Sequence, residues 1–242
     1  MKPPVVDYRK LRPGNLRSHQ YRHLFYLLFW PLFGLAFYAE ERLYQVDFYH
    51  IIYCPLDDYI PFLEIFVIPY LVWFAFLVFQ HLYGLLYDID NFKWLMRYIL
   101  ITYLSALVIY FIYPNCQELR PQAFARDNIF TRFMAGFYQF DTNTNVCPSI
   151  HVMGSLAVWS ASRQAKPLQK PLWRVVFAVI ALSICASTVF LKQHSVLDVL
   201  WALPICVLAE IYCRFMAKRE KRNKKCFCTS SDTVTPPISP TD

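Results

Sequence analysis

The sequence predicts an all-α integral membrane protein, with six transmembrane helices in one bundle. Three observations carry that prediction. Hydrophobic residues fill 57% of the 242 positions and charged ones only 17%, against about a quarter in soluble domains. The apolar content is bulky, with 21 Phe and 17 Tyr against 5 Gly, and mean hydropathy is +0.30. It is also gathered into runs near the ~20 residues that cross a bilayer, separated by polar connections.

Six runs are expected to span: 24–39, 62–87, 95–113, 148–163, 174–191 and 196–214. The first follows a basic tail (1–23) containing Lys2, Arg9, Lys10, Arg12, Arg17 and Arg22. No small-residue cleavage site follows it, so it is expected to stay in the mature protein. The second and third are joined by a charge-balanced connection at 88–94. The fourth is short and opens at Pro148, a favoured first-turn residue, so its neighbours must cover the polar His151. The sixth, which follows a turn near 192–195, closes the membrane domain (24–216). Beyond it lies a basic then disordered tail (217–242), with Lys218, Arg219, Lys221, Arg222, Lys224 and Lys225 before the Pro-rich "TSSDTVTPPISPTD". No internal repeat is visible.

Loop charge sets the expected orientation. Between the first two spans Glu40, Glu41, Asp47, Asp57 and Asp58 face a single Arg42, whereas the 163–174 loop carries Arg163, Lys166, Lys170 and Arg174 without an acid. Short basic loops stay in the cytoplasm. Both termini are therefore expected inside, and the 114–147 loop and the 192–195 turn outside, in the plasma (inner) membrane. The net charge of +7 follows from these flanks. No nucleic-acid partner is expected, because the basic groups abut spans instead of lining one folded face.

Of eight cysteines, Cys185, Cys206 and Cys213 lie in spans. Cys116 and Cys147 flank the outer loop, where an oxidising compartment would let them pair; Cys226 and Cys228 sit beside the basic tail.

Three polar clusters interrupt the apolar pattern: "YPNCQELRP" (113–121), "NVCPSIH" (145–151) and "STVFLKQHSVLD" (187–198). By the charge-derived orientation all three meet at the outer face. His194 and Asp198 are four apart and share a helix face. The carboxylate accepts from one imidazole nitrogen and leaves the other as base or nucleophile. Ser149 and His151 open the fourth span, where free N–H groups and the helix dipole suit a phosphate. Arg120 and Lys192 add fixed positive charge. Two cations and one carboxylate suit an anionic substrate better than a metal, and no cofactor is called for. Phosphoryl transfer through a phosphohistidine fits this set. Arg126, Arg132 and Asp141 read as solvated loop residues, and "DTNTN" (141–145) as a helix-entry turn. His19, His23, His50 and His81 read as packing residues.

Ser-x-His in "PSIH" followed by Ser-x6-His-x3-Asp in "STVFLKQHSVLD" resembles the type 2 phosphatidic acid phosphatase superfamily, over roughly residues 110–205. The resemblance implies a six-helix fold, no metal and a histidine nucleophile. By it His194 attacks phosphorus, Asp198 orients His194, and His151 protonates the leaving oxygen. Arg120, Ser149 and Lys192 cradle the phosphate. The family's first motif is Lys-x6-Arg-Pro, but here Tyr113 stands at the Lys position before Arg120 and Pro121. The third motif usually opens Ser-Arg, where this chain has Ser187 and Thr188. These departures resemble the branch with inositol phosphorylceramide and sphingomyelin synthases, in which the triad moves a phospho-headgroup between lipids.

A lipid-phosphate phosphatase is therefore the first expectation and a lipid phosphotransferase the second, with a lipid phosphate as substrate and the oligomeric state undetermined. A transporter is a poor fit, since 5 Gly and no repeat contrast with the paired, broken helices of transporters. A silent scaffold is a poor fit because the His-His-Asp set is complete. The orientation is checked by cysteine labelling. A probe near 168 should react from the cytoplasm only and one near 125 from outside only, and the opposite pattern would invert the assignment.

Overall fold

The computed structural model describes residues 3–44 and 46–231, with side chains through 223. Among the described residues the protein is mostly helical (71%), with eight α-helices. A 3-10 segment, Arg22–Leu28, leads into α1 (Phe29–Arg42). A single turn, α2 (Leu56–Tyr59), precedes the antiparallel pair α3 (Val67–Tyr87) and α4 (Ile89–Ile112). Then follow α5 (Ile129–Phe140), α6 (Ile150–Ser162), α7 (Pro171–Phe190) and α8 (Val196–Ser231).

Among the described residues five helices are long and apolar enough to cross a membrane: Arg22–Arg42, Glu64–Tyr87, Ile89–Ile112, Pro171–Phe190 and Val196–Asn223. The remaining expected span is α6, whose 13 residues rise about 20 Å, short of a ~30 Å hydrocarbon layer. Instead of facing outward, α6 is wrapped by α3, α4, α7 and α8. Nine of its 13 residues are buried, among them Gly154, Ser155, Ala157, Ser160 and Ala161. Such small side chains let neighbouring helices approach closely where lipid offers no hydrophobic drive. Polar pins fix the packing: Trp94 Nε1–H donates to Ser160 Oγ at 2.9 Å, and Asn91 Nδ2–H to the Ala161 carbonyl at 2.7 Å. Central α4, with twelve of 24 residues buried, also carries α1, through Phe33 against Tyr103 (5.1 Å between ring centroids).

Three features depart from the sequence expectation. First, α8 does not stop near 214 but runs to Ser231, because "MAKREKRNKK" is built of good helix formers; the rest of the expected disordered tail, 232–242, and the side chains of Cys226 and Cys228 lie outside the described residues. Second, the outer loop contains α5. Asn128 Oδ1 accepts from Phe130 N–H and Thr131 N–H, and Thr131 Oγ1 accepts from Asn128 N–H, a reciprocal cap. Buried Met134 then packs with Val67, Tyr70 and Leu191. Third, two short strands, His50–Ile51 and Asn115–Cys116, pair in parallel and tie the α1–α2 loop to the end of α4. Cys116 and Cys147 are free thiols.

The α3–α4 pair depends on Gly84. A Cβ there would lie 2.8 Å from Phe92 Cα and 2.9 Å from Phe92 N, and backbone cannot swing aside. Gly84→Ala should cost about 1–3 kcal/mol by overpacking, read as a lower Tm of the detergent-purified protein. Gly136→Ala, with nothing within 4 Å of the added carbon, should not. Equal melting of both variants would mean that the two helices can part freely.

Candidate active site

The chain reverses between α7 and α8 in a tight turn. Leu191 N–H donates to the Ser187 carbonyl and Lys192 N–H to that of Val189, while Gln193 and His194 N–H both donate to the Thr188 carbonyl at 3.0 Å. Lys192 adopts φ +52°, a left-handed conformation uncommon outside glycine. The turn delivers His194 to the first residues of α8. There Asp198, with no exposure, holds His194 Nδ1 at 3.0 Å and accepts from Ser195 N–H at 3.0 Å through the same Oδ2. A carboxylate can only accept, so Nδ1 carries the proton of this bond and Nε2 is the nitrogen left facing away from Asp198.

The start of α6 meets this turn. Ser149 caps α6, its Oγ accepting from Val152 N–H at 3.5 Å, and its own N–H donates to the Asp198 carbonyl at 3.2 Å. Tyr110 Oη–H fixes the preceding residue through the Pro148 carbonyl at 2.6 Å. Fully buried Asn115 accepts from Val146 and Cys147 N–H and donates to the Cys147 carbonyl. Burial, and then the adjacent Asp198 carboxylate, push the Cys147 thiol well above its ordinary pKa. His151 sits in the first turn of α6 against two rings of α3, Tyr70 (4.7 Å between centroids) and Trp73 (4.3 Å). Its ring lies 5.6 Å from that of His194, edge-on, and its buried Nδ1 has no hydrogen-bond partner among the described residues. The three polar clusters thus meet in one layer.

Protein groups hold both expected phosphate cations. Arg120 donates through Nη1 to the carbonyls of Tyr138 (3.1 Å) and Asp141 (2.8 Å), and through Nη2 to the Thr142 carbonyl (2.8 Å) and Gln193 Oε1 (2.6 Å). Its guanidinium also covers the Tyr138 ring at 4.5 Å, and Nε alone lacks a partner. Burial lowers the Arg120 pKa while Asp141 opposes the shift; a guanidinium stays charged regardless. Lys192 Nζ donates to the Asp57 carbonyl at 2.6 Å, and burial lowers its pKa against the pull of Asp57.

Several residues of this layer had read as ordinary loop. Asp141, expected to be solvated, keeps a side chain 41% exposed but also accepts from Gln193 Nε2–H at 3.0 Å, and desolvation raises its pKa. Glu41, counted only as an outer-loop acid, gathers the 142–145 turn by accepting from Thr142, Thr144 (2.9 Å) and Asn145 (2.7 Å). Tyr113, at the family's Lys position, stacks on His50 at 3.9 Å. Asp57 is buried against the start of α8. An acid pair in "PLDDY" was the only signal for it, and loop acids are usually solvated.

Residues 94–222, just over half of the chain, match the family model of the PAP2 superfamily. The chain belongs to that superfamily, whose members are phosphatases or phosphotransferases. No curated protein and no solved structure matches it.

The four-pronged grip of Arg120 depends on a planar fork that Lys lacks. Arg120→Lys should therefore lower turnover at least tenfold, nearly as far as Arg120→Ala, and both should speed proteolysis between 138 and 142. Near-normal turnover in the Lys variant would mean that charge alone is required.

Proposed function

We propose that this protein is a lipid-phosphate phosphatase working through a phosphohistidine at the extracytoplasmic membrane face. The observation that carries the reading is the buried Asp198–His194 pair set edge-on to a His151 whose Nδ1 is unpartnered. Family membership supplies the reaction class.

In the proposed reaction, His194 Nε2 attacks phosphorus. The N–P bond forms as the bond to the lipid oxygen breaks, and His151 delivers a proton to that oxygen. Water then attacks the phosphohistidine, His151 takes its proton, and the N–P bond breaks to release phosphate. Asp198 holds the Nδ1 proton throughout and stabilises the cationic ring. Ser149 and the first N–H groups of α6 face the phosphate, with Arg120 contributing Nε; Lys192 reaches it only by leaving the Asp57 carbonyl. No step uses a metal. In this reading α6, with its flanking loops, completes a sixth crossing, and both termini are cytoplasmic.

A second reading, transfer of a phospho-headgroup to a lipid alcohol, is favoured by Tyr113 in place of a cation. Tyr113 lines an apolar groove of about 600 Å³ with Ile51, Pro148, Leu197 and Trp201, whose walls adjoin Ser149 and Asp198 in sequence. Such a groove suits a hydrocarbon chain better than a free phosphate ester.

Purified protein should release phosphate from dioleoyl phosphatidic acid in mixed micelles, and do so in excess chelator; vanadate should inhibit. A headgroup appearing on added diacylglycerol or ceramide in place of released phosphate would select the transferase reading. Loss of turnover on chelation, restored by a divalent ion, would reject the scheme. His194→Ala should abolish turnover, whereas His151→Ala should lose about 10²–10⁴. A p-nitrophenyl leaving group, which needs no proton, should partly rescue only the His151 variant; equal rescue would mean that the roles are misassigned.

A further inference from the structure

We propose that Asp57 is a positioning residue for His194, holding the turn that presents it from both flanks; this rests on the reading of His194 as nucleophile. Asp57 belongs to the one-turn helix α2, yet is only 1% exposed. Its carboxylate spans the entry to α8, with Oδ2 accepting from Ser195 Oγ–H at 2.5 Å and Oδ1 from Val196 N–H at 2.8 Å. Oδ2 also accepts from Cys54 N–H at 2.9 Å, which fixes the side chain within its own loop. On the other side of His194, Lys192 Nζ reaches the Asp57 carbonyl at 2.6 Å. Residues 192, 195 and 196 are thus all tied to one residue that lies 138 positions upstream of Ser195.

The first N–H groups of a helix have no partner within it, and a side-chain acceptor usually comes from the residue just before. In α8 that residue, Ser195, caps Leu197 N–H at 3.2 Å, and Asp57 takes both the Ser195 hydroxyl proton and the Val196 N–H. Asp198 Oδ2 takes Ser195 N–H and His194 Nδ1. Two buried carboxylates therefore share Ser195. Asp198 orients the imidazole, and Asp57 fixes the backbone from which both His194 and Asp198 project. Without Asp57 the turn would keep its bonds to α7, but its approach to α8 would lose the outside anchor. A nucleophile in such a turn still exists, but spends less time aimed at phosphorus, and misplacement by an ångström is enough to slow chemistry severely.

The expected signature is a kcat effect without a KM effect, since the Asp57 carboxylate bonds to Cys54, Ser195 and Val196, and the backbone carbonyl that holds Lys192 survives the substitution. With dioleoyl phosphatidic acid micelles, Asp57→Ala should lower kcat by about thirtyfold or more and leave KM within about threefold. Asp57→Asn, which keeps an acceptor for Val196 N–H, should restore part of the loss. Ser195→Ala should cost less than Asp57→Ala, and the double variant should lose less than the two single losses combined, because the two share one hydrogen bond. Asp47→Asn, an exposed acid of the same loop, serves as the unchanged control. Rapid-quench trapping should show slower formation of phosphoenzyme in Asp57→Ala. If that variant loses its folded size-exclusion peak, Ser195→Ala and Asp57→Asn carry the same kcat-against-KM test. Wild-type kcat in the folded variants, or a loss appearing only in KM, would overturn the proposal. His194→Ala, run alongside, separates the two failures: residual turnover there defeats the nucleophile reading, whereas a dead His194→Ala beside a normal Asp57→Ala defeats only the positioning role.

Discussion

A buried polar group must be partnered, and at one end of this bundle that requirement organises the chain. Asp198, Asp57 and Asn115 have almost no exposure. Leaving one such group unmatched costs about 1–3 kcal/mol, and more when it is charged. Asn115 draws in donors from 146–147 and Asp57 from 192–196, as partly buried Glu41 does from 142–145, while Asp198 takes its own from the adjacent turn at His194 and Ser195. The site is the place where these requirements overlap.

The helices supply the frame that makes the overlap possible. Small residues on α6 let α3, α4, α7 and α8 close around it, bringing the α6 N-terminus beside the start of α8. Tyr70 and Trp73 of α3 then set the His151 ring by stacking, while α5 packs its buried Met134 against Tyr70 and Leu191. Toward the opposite end, α4, α6 and α8 are joined by a second polar seam. Ser160 accepts from Trp94 and donates to Glu210, which also meets Arg163 and Arg214. This seam holds the central helices together about three turns from His151, so a rigid helix and not a loop fixes the height of that imidazole.

Arg120 shows why a motif residue has to be located as well as recognised. A free guanidinium beside a phosphate is a ligand; one whose four Nη hydrogens already meet three carbonyls and Gln193 is a strut. Its bonds connect the end of α5 and the 141–142 segment to the residue before His194. A cation in this position still contributes its field to an anion nearby, through low-dielectric surroundings. It contributes order to the turn at the same time.

Features that follow from local pattern are legible in the chain before it folds. Apolar runs mark α1, α3, α4, α7 and α8 and the short α6 at 150–162, because hydrophobic length and helix-start residues are local properties. The His194–Asp198 pair was legible for the same reason, since a spacing of four fixes a shared helix face. The α5 helix, although its Asn-x-x-Thr cap is local, falls inside the 114–147 segment that loop charge assigns to an outer connection. The extent of α8 was missed because charge marked the membrane edge and not the helix end. Only the tertiary structure decided the partners of Arg120, Lys192, Asp57, Glu41 and Asn115. Their bonds join residues up to 139 positions apart, and nothing in a local window distinguishes a solvated loop acid from one that packing has buried against a helix it must cap.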